Sequence, residues 1–181
     1  MATLALIPVT ALFMSLFLSL PVGRGAVGAT LPPGSLDGSG GWTVYHQDPA
    51  GRGVAPTVTS VDTSSPVWTS PTLDGQLYGE PLVSGARVYV ATENDTVYAL
   101  SAATGAVEWS THLARPVPSN ELPCGDIQPT VGITGTPVID PVRGEIFAVA
   151  DELVNGVPAH VLVGLAPAWA TVSYWPRPRI R

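Results

Sequence analysis

The chain has 181 residues, 45% of them hydrophobic and only 12% charged, with 19 glycines, 19 prolines and a formal net charge of −6. This punctuation favours many short strands and turns over long amphipathic helices, and the length allows one modest domain with a real core. All eight basic residues are arginine, and three of them (Arg177, Arg179, Arg181) lie in the last five positions, so the acidic body lacks the clustered cations of a nucleic-acid surface.

From Ala2 to Leu20 the residues are almost wholly apolar, and small residues follow from Gly23 to Thr30. This pattern predicts a signal peptide over 1–29, cleaved after Gly28 or Ala29, or an anchor if it is not cleaved. The expected location is secreted or extracytoplasmic, and membrane-anchored in the second case. Cys124 is the only cysteine, which excludes an intrachain disulfide and a Cys-x-x-Cys redox pair. It is expected to be a buried free thiol, with pairing to a cysteine of another chain as the alternative.

Residues 30–65 are rich in Gly, Ser, Pro, Thr and Asp, and are expected to form a flexible lead-in segment anchored by Trp42, Val44 and Tyr45. A short strand is predicted at Val67, Trp68 and Thr69, followed by a turn at Asp74 and Gly75. Four strands are then predicted in quick succession: Glu80 to Val83, Arg87 to Thr92, Thr96 to Leu100 and Ala106 to Thr111. Turns at Ser84-Gly85, Asn94-Asp95 and Thr104-Gly105 join them, the second expected to be a two-residue turn with both residues left-handed. The result is an up-and-down meander of about 33 residues.

The meander recurs. Gly79-Glu80-Pro81-Leu82-Val83 is echoed by Gly135-Thr136-Pro137-Val138-Ile139, and Arg87 to Ala91 by Glu145 to Val149. Thr96 to Leu100 is echoed by His160 to Gly164 after a longer connection through Asn155, Gly156 and Pro158. An insertion from Ala114 to Val131 separates the copies and is expected to project from one rim. The fold class is therefore all-β, with four-stranded antiparallel units over 66–165. After Leu165 the pattern is expected to lapse into a divergent basic tail, 166–181, read either as the aberrant end of a longer gene or as a genuine exposed tail.

The run Ala99-Leu100-Ser101-Ala102-Ala103-Thr104-Gly105-Ala106-Val107-Glu108-Trp109 resembles the signature of the pyrroloquinoline-quinone (PQQ) repeat β-propellers, Ala-x-Asp-x-x-Thr-Gly-x-x-x-Trp. Ala99, Thr104, Gly105 and Trp109 match, and Ser101 stands where the family has aspartate. The resemblance implies that the glycine turns between the two outer strands of a blade and that the tryptophan packs on the neighbouring blade. Trp42-x-x-Tyr45-x-x-Asp48 is similar to the segment that precedes the first blade in this family, so the resemblance covers roughly Trp42 to Leu165. It implies that the four-stranded antiparallel units over 66–165 are blades of an incomplete β-propeller ring, of which this chain is an N-terminal piece. Complete relatives include dehydrogenases that bind PQQ and calcium, commonly over a disulfide between adjacent cysteines, which one cysteine cannot supply.

The remaining chemistry is sparse. His46, His112 and His160 are widely separated and are expected on surfaces or strand faces. Asp140, Asp151 and Glu152 are expected at a hairpin, in turn or solvent roles. Asn94-Asp95-Thr96 fits a glycosylation acceptor, but a hairpin turn explains the same residues. Trp68 and Trp109 are expected to dock between blades. No catalytic residue and no metal ligand is assigned, cofactor-binding residues are left unknown, and self-association through open blade edges is the one partner expected. The first expectation is an exported, non-catalytic binding or scaffold module. A piece of a PQQ-dependent oxidoreductase and a non-functional gene product are the alternatives.

Overall fold

The computed structural model describes residues 41–55, 62–123, 125–166 and the backbone of 171–174. The expectations for the signal segment, for Cys124 and for the arginine-rich end lie outside these residues. Ten strands are described, and the architecture is all-β, as the pattern of short alternating runs requires.

The first blade holds β1 (Leu82–Ser84), β2 (Arg87–Ala91), β3 (Thr96–Ser101) and β4 (Val107–His112), paired in that order and antiparallel. The register shifts by one residue between Ala99 and Leu100, so that Glu108 bulges out of β4. A bulge re-aims the side chains on either side of it. Here Glu108 reaches outward to Arg87, while Trp109 turns toward Tyr89, at 6.1 Å between ring centres.

The β2–β3 turn differs from expectation. The Thr92 N–H bonds to the Thr96 carbonyl at 2.9 Å, which leaves three residues in the turn, Glu93, Asn94 and Asp95. Only Asp95 is left-handed, at φ 52°. A tight turn followed by one left-handed residue matches strand twist as well as two left-handed residues would.

The second blade holds β7 (Val138–Asp140), β8 (Glu145–Val154), β9 (Val157–Ala166) and β10 (Thr171–Tyr174), again a four-stranded antiparallel sheet. The connection between β8 and β9 is shorter than the sequence reading had it. Asn155 and Gly156, at φ 54° and 78°, make a two-residue turn between strands of ten residues each. Pro158 is tolerated because it faces Leu153 in the second pair from the turn, where alternation places no ladder hydrogen bond. Pairing also continues past Leu165, since β10 pairs with Val163 to Ala166 of β9.

The insertion forms its own small sheet from β5 (Val117–Pro118) and β6 (Thr130–Val131), with a 3-10 turn at Ser119–Glu121. It is fastened to the second blade by a bridge between Pro116 and Glu152 and by the Leu153 N–H to the Arg115 carbonyl, at 3.1 Å.

The two blades share their core. Leu82, Tyr89 and Ala99 of the first pack with Ile139 and Ile146 of the second. A larger cluster joins Ala91 and Val97 to Ile133, Ala148, Val161, Val163 and Leu165, and Trp109 packs against both clusters. The repeated Gly-x-Pro segments also meet: Gly79 lies against the backbone of Gly135, and the Glu80 N–H donates to Thr136 Oγ1 at 2.9 Å. The lead-in residues close the inner edge, with Trp42 bonded both ways to Val83 (2.7 and 2.8 Å) and the Thr43 carbonyl accepting from Ile139 at 2.8 Å. The two sheets are blades of an open β-propeller.

Candidate functional site

The signature residues occupy the β3–β4 turn. Gly105 takes φ 72°, a conformation open to glycine at no steric cost, and its N–H bonds back to the Ser101 carbonyl at 2.8 Å. Thr104 Oγ1 accepts from the Ala106 N–H at 3.3 Å, and Ala99 is fully buried under Trp109. Trp68 is not in a strand. Its indole lies on Gly105 and donates from Nε1 to the Ala102 carbonyl at 2.8 Å, so from outside the four strands it covers the outer turn of the first blade. Val67, Trp68 and Thr69 have no ladder partner among the described residues, so the predicted strand does not form there.

The β2–β3 turn is built from two acids with opposite environments. Asp74, brought in by the segment before β1, accepts from Thr92 Oγ1, Asn94 Nδ2 and Thr96 Oγ1. Burial pushes its carboxyl up, but these hydrogen bonds outweigh it and hold Asp74 below the ordinary 3.8. Asp95 is fully buried, and neither of its carboxyl oxygens has a hydrogen-bond partner among the described residues. Burial first, then the nearby Glu152, Asp151 and Glu93, push it up to about 8. Glu93 is better served: its Oε2 accepts from the Gly132 N–H at 2.7 Å and from Thr134 Oγ1 at 3.0 Å. Gly132 allows this approach, since a Cβ there would sit 2.7 Å from the Glu93 carbonyl and 2.8 Å from Asp95 Oδ1.

Glu152 was expected at a hairpin in solvent, and the structure corrects this. It is buried, because β8 runs on to Val154 and the two-residue period carries its core face through Ile146, Ala148 and Ala150 to Glu152. Asp140 does hold a turn, accepting from the Val142 and Arg143 N–H groups and pairing with Arg143. The three histidines do not converge. His46 bonds the Gly51 carbonyl, His112 meets Thr96 Oγ1, and His160 pairs with Asp151 directly across β8 and β9. Among the described residues no group of three or more His, Cys, Asp or Glu is placed to hold a metal ion.

The feature that sequence reasoning did not find is a cleft of about 390 Å³ between the insertion and the β8–β9 hairpin. Val117, Leu122, Ile127 and Val131 form its insertion wall, and Pro158 and Ala159 the opposite one. Its polar groups are Asp126 on the insertion side and the Asp151–His160 pair on the hairpin side. Partial burial raises the Asp151 carboxyl, and His160 offsets part of this. The only advance signal was the insertion's irregular offset, because Asp151 and His160 come together through a register that depends on the Asn155-Gly156 turn. PQQ is a tricarboxylate and needs cationic partners; the cleft offers two acids and no arginine, so it does not fit that cofactor.

No curated protein matches the chain significantly. A PQQ-repeat family model described as outer membrane protein assembly factor BamB matches residues 36–152. That span covers more than half of the chain and includes the lead-in bridge, the whole first blade, the insertion and most of β8. The protein is therefore a member of this PQQ-repeat β-propeller family.

Proposed function

We propose that the protein is an exported β-propeller module that binds a ligand rather than converting one, and that the cleft beside the insertion is its binding surface. The observation that carries this reading is the cleft itself. It is concave, walled by apolar side chains on two sides and provided with a few polar groups at its edges, which is the usual constitution of a small-ligand site. Its position supports the same reading, because insertions mounted on a rigid repeat scaffold are where recognition is commonly placed. The apolar N-terminal run supports export.

Ligand-observed NMR with a mixed set of cationic, neutral and anionic aromatic fragments tests the binding reading. Hits are expected with the full chain and are expected to vanish with Leu122→Trp, which fills the cleft from its apolar wall. Hits that persist in that variant would move the site elsewhere. Turnover of any hit would overturn the non-catalytic part. Detection of the chain in culture fluid or an extracytoplasmic fraction tests export, and its confinement to the cytosol would overturn it.

A further inference from the structure

We propose that the cleft selects an apolar ligand carrying one ammonium or guanidinium group. The inference rests on the binding reading above and adds the chemical class of the ligand.

The cleft's size comes first. At about 390 Å³ it accommodates a small aromatic or aliphatic amine, or one long basic side chain. The apolar walls then require that most of the ligand surface be hydrocarbon. Charge decides the rest. Asp126 and Asp151 face the space from opposite walls, and no arginine or lysine lines it. His160 is already engaged by Asp151, so the hairpin side offers an acid with a partner, while Asp126 stands on the insertion side as an exposed acid. A ligand cation placed between them meets Asp126 at the solvent edge and Asp151, shared with His160, in the partly buried wall, where such contacts are stronger than in water. An anion would meet two like charges. The acidic body adds a long-range pull in the same direction, with 14 acidic residues against eight basic ones of which three lie at the very end of the chain.

The ligand cation has two possible sources, a free amine or a basic side chain on another protein, and both present the same chemistry. Titration of the full chain, followed by calorimetry, uses four probes. Phenethylammonium, phenethyl alcohol and 3-phenylpropionate share a shape and differ in charge; acetyl-Leu-Arg-Leu-amide presents the cation on a peptide. The expected result is binding of phenethylammonium roughly tenfold tighter than either uncharged or anionic counterpart. Asp126→Asn, at an exposed position, is expected to weaken it about threefold, and Asp151→Asn about tenfold. Peptide binding tighter than amine binding assigns the ligand to a protein segment; the reverse order assigns it to a small molecule. Equal affinity for the three matched probes would overturn the inference while leaving the cleft a binding site, as would an Asp126→Asn variant with unchanged preference for the cation. Failure of all four probes to bind would overturn the inference and the binding reading together.

Discussion

The Trp68 indole lies face-on over Gly105 so closely that a Cβ at that position would fall inside the ring's contact distance. Two demands meet at one residue: a left-handed backbone, which favours glycine, and a tryptophan lid that leaves no room for a methyl group. Gly105→Ala is expected to cost about 2–3 kcal/mol of unfolding free energy, read by denaturant titration. In a Trp68→Ala background the same change should cost about 1 kcal/mol, the backbone part alone, and a double-mutant cycle reads the difference. Equal costs in both backgrounds would separate the lid from the glycine requirement.

Asp95 and Asp74 predict a stability maximum in the weakly acidic range. Asp95 is raised in the folded state to about 8 from 3.8, so its contribution is fully present below 3.8 and is lost as pH rises through 8. Asp151 shifts the same way. Asp74 is lowered, so its contribution is present above 3.8 and is lost as pH falls through its folded value. Melting temperature is therefore expected to fall on both sides, with the alkaline loss on the order of a few kcal/mol between pH 5 and 9. Asp95→Asn should flatten the alkaline limb, and Asp74→Asn the acidic one. A wild-type melt that rises from pH 5 to 9 would contradict the assignment.

Asn94 should remain unmodified in a host that glycosylates exported proteins. Its Nδ2 donates to Asp74 at 2.9 Å, and the Thr96 that completes the acceptor triplet is buried and bonded to the same carboxylate. Intact-mass spectrometry of the exported chain is expected to show no glycan at Asn94, and Asp74→Ala is the variant in which partial occupancy could appear.

Trp109 touches both hydrophobic clusters, so Trp109→Ala is expected to destabilise by about 3–5 kcal/mol and to loosen the two blades together. Hydrogen exchange should show loss of protection in β2 and β8 alike. Protection lost in the first blade alone would place Trp109 in that blade's packing only.

PQQ with calcium is expected to leave the absorbance spectrum and the melting temperature of the full chain unchanged, because the cleft's two acids disfavour a tricarboxylate. A saturable spectral change would favour the oxidoreductase alternative instead.

The first blade was legible in the sequence because its strands are short, each hairpin carries a Gly, Asn or Asp signal, and the Thr104-Gly105 to Trp109 spacing marks its outer turn. The second blade was legible only in part. Pro158 argues against a strand beside Asn155-Gly156, the stronger local signal, so the facing ends of two long strands were read as a connection. The Trp68 segment has strand-like composition but no ladder partner, a tertiary fact that local preference cannot report. Glu93, Asp95, Asp151 and Glu152 lie in two distant stretches of chain, and nothing in their spacing shows that one interblade seam collects them. The cleft was illegible for the same reason, since its two walls meet only when the insertion folds back onto β8.

Trp42 and Thr43 hold Val83 in one blade and Ile139 in the other. The bond from Thr43 to the second blade must therefore wait until the whole first blade and the insertion have been made and Ile139 arrives. Such a long sequence separation slows closure of the inner edge. The first blade can thus complete its local hairpins before its position against the second is set, because the contact that ties the two spans about 96 residues while each hairpin spans only a few.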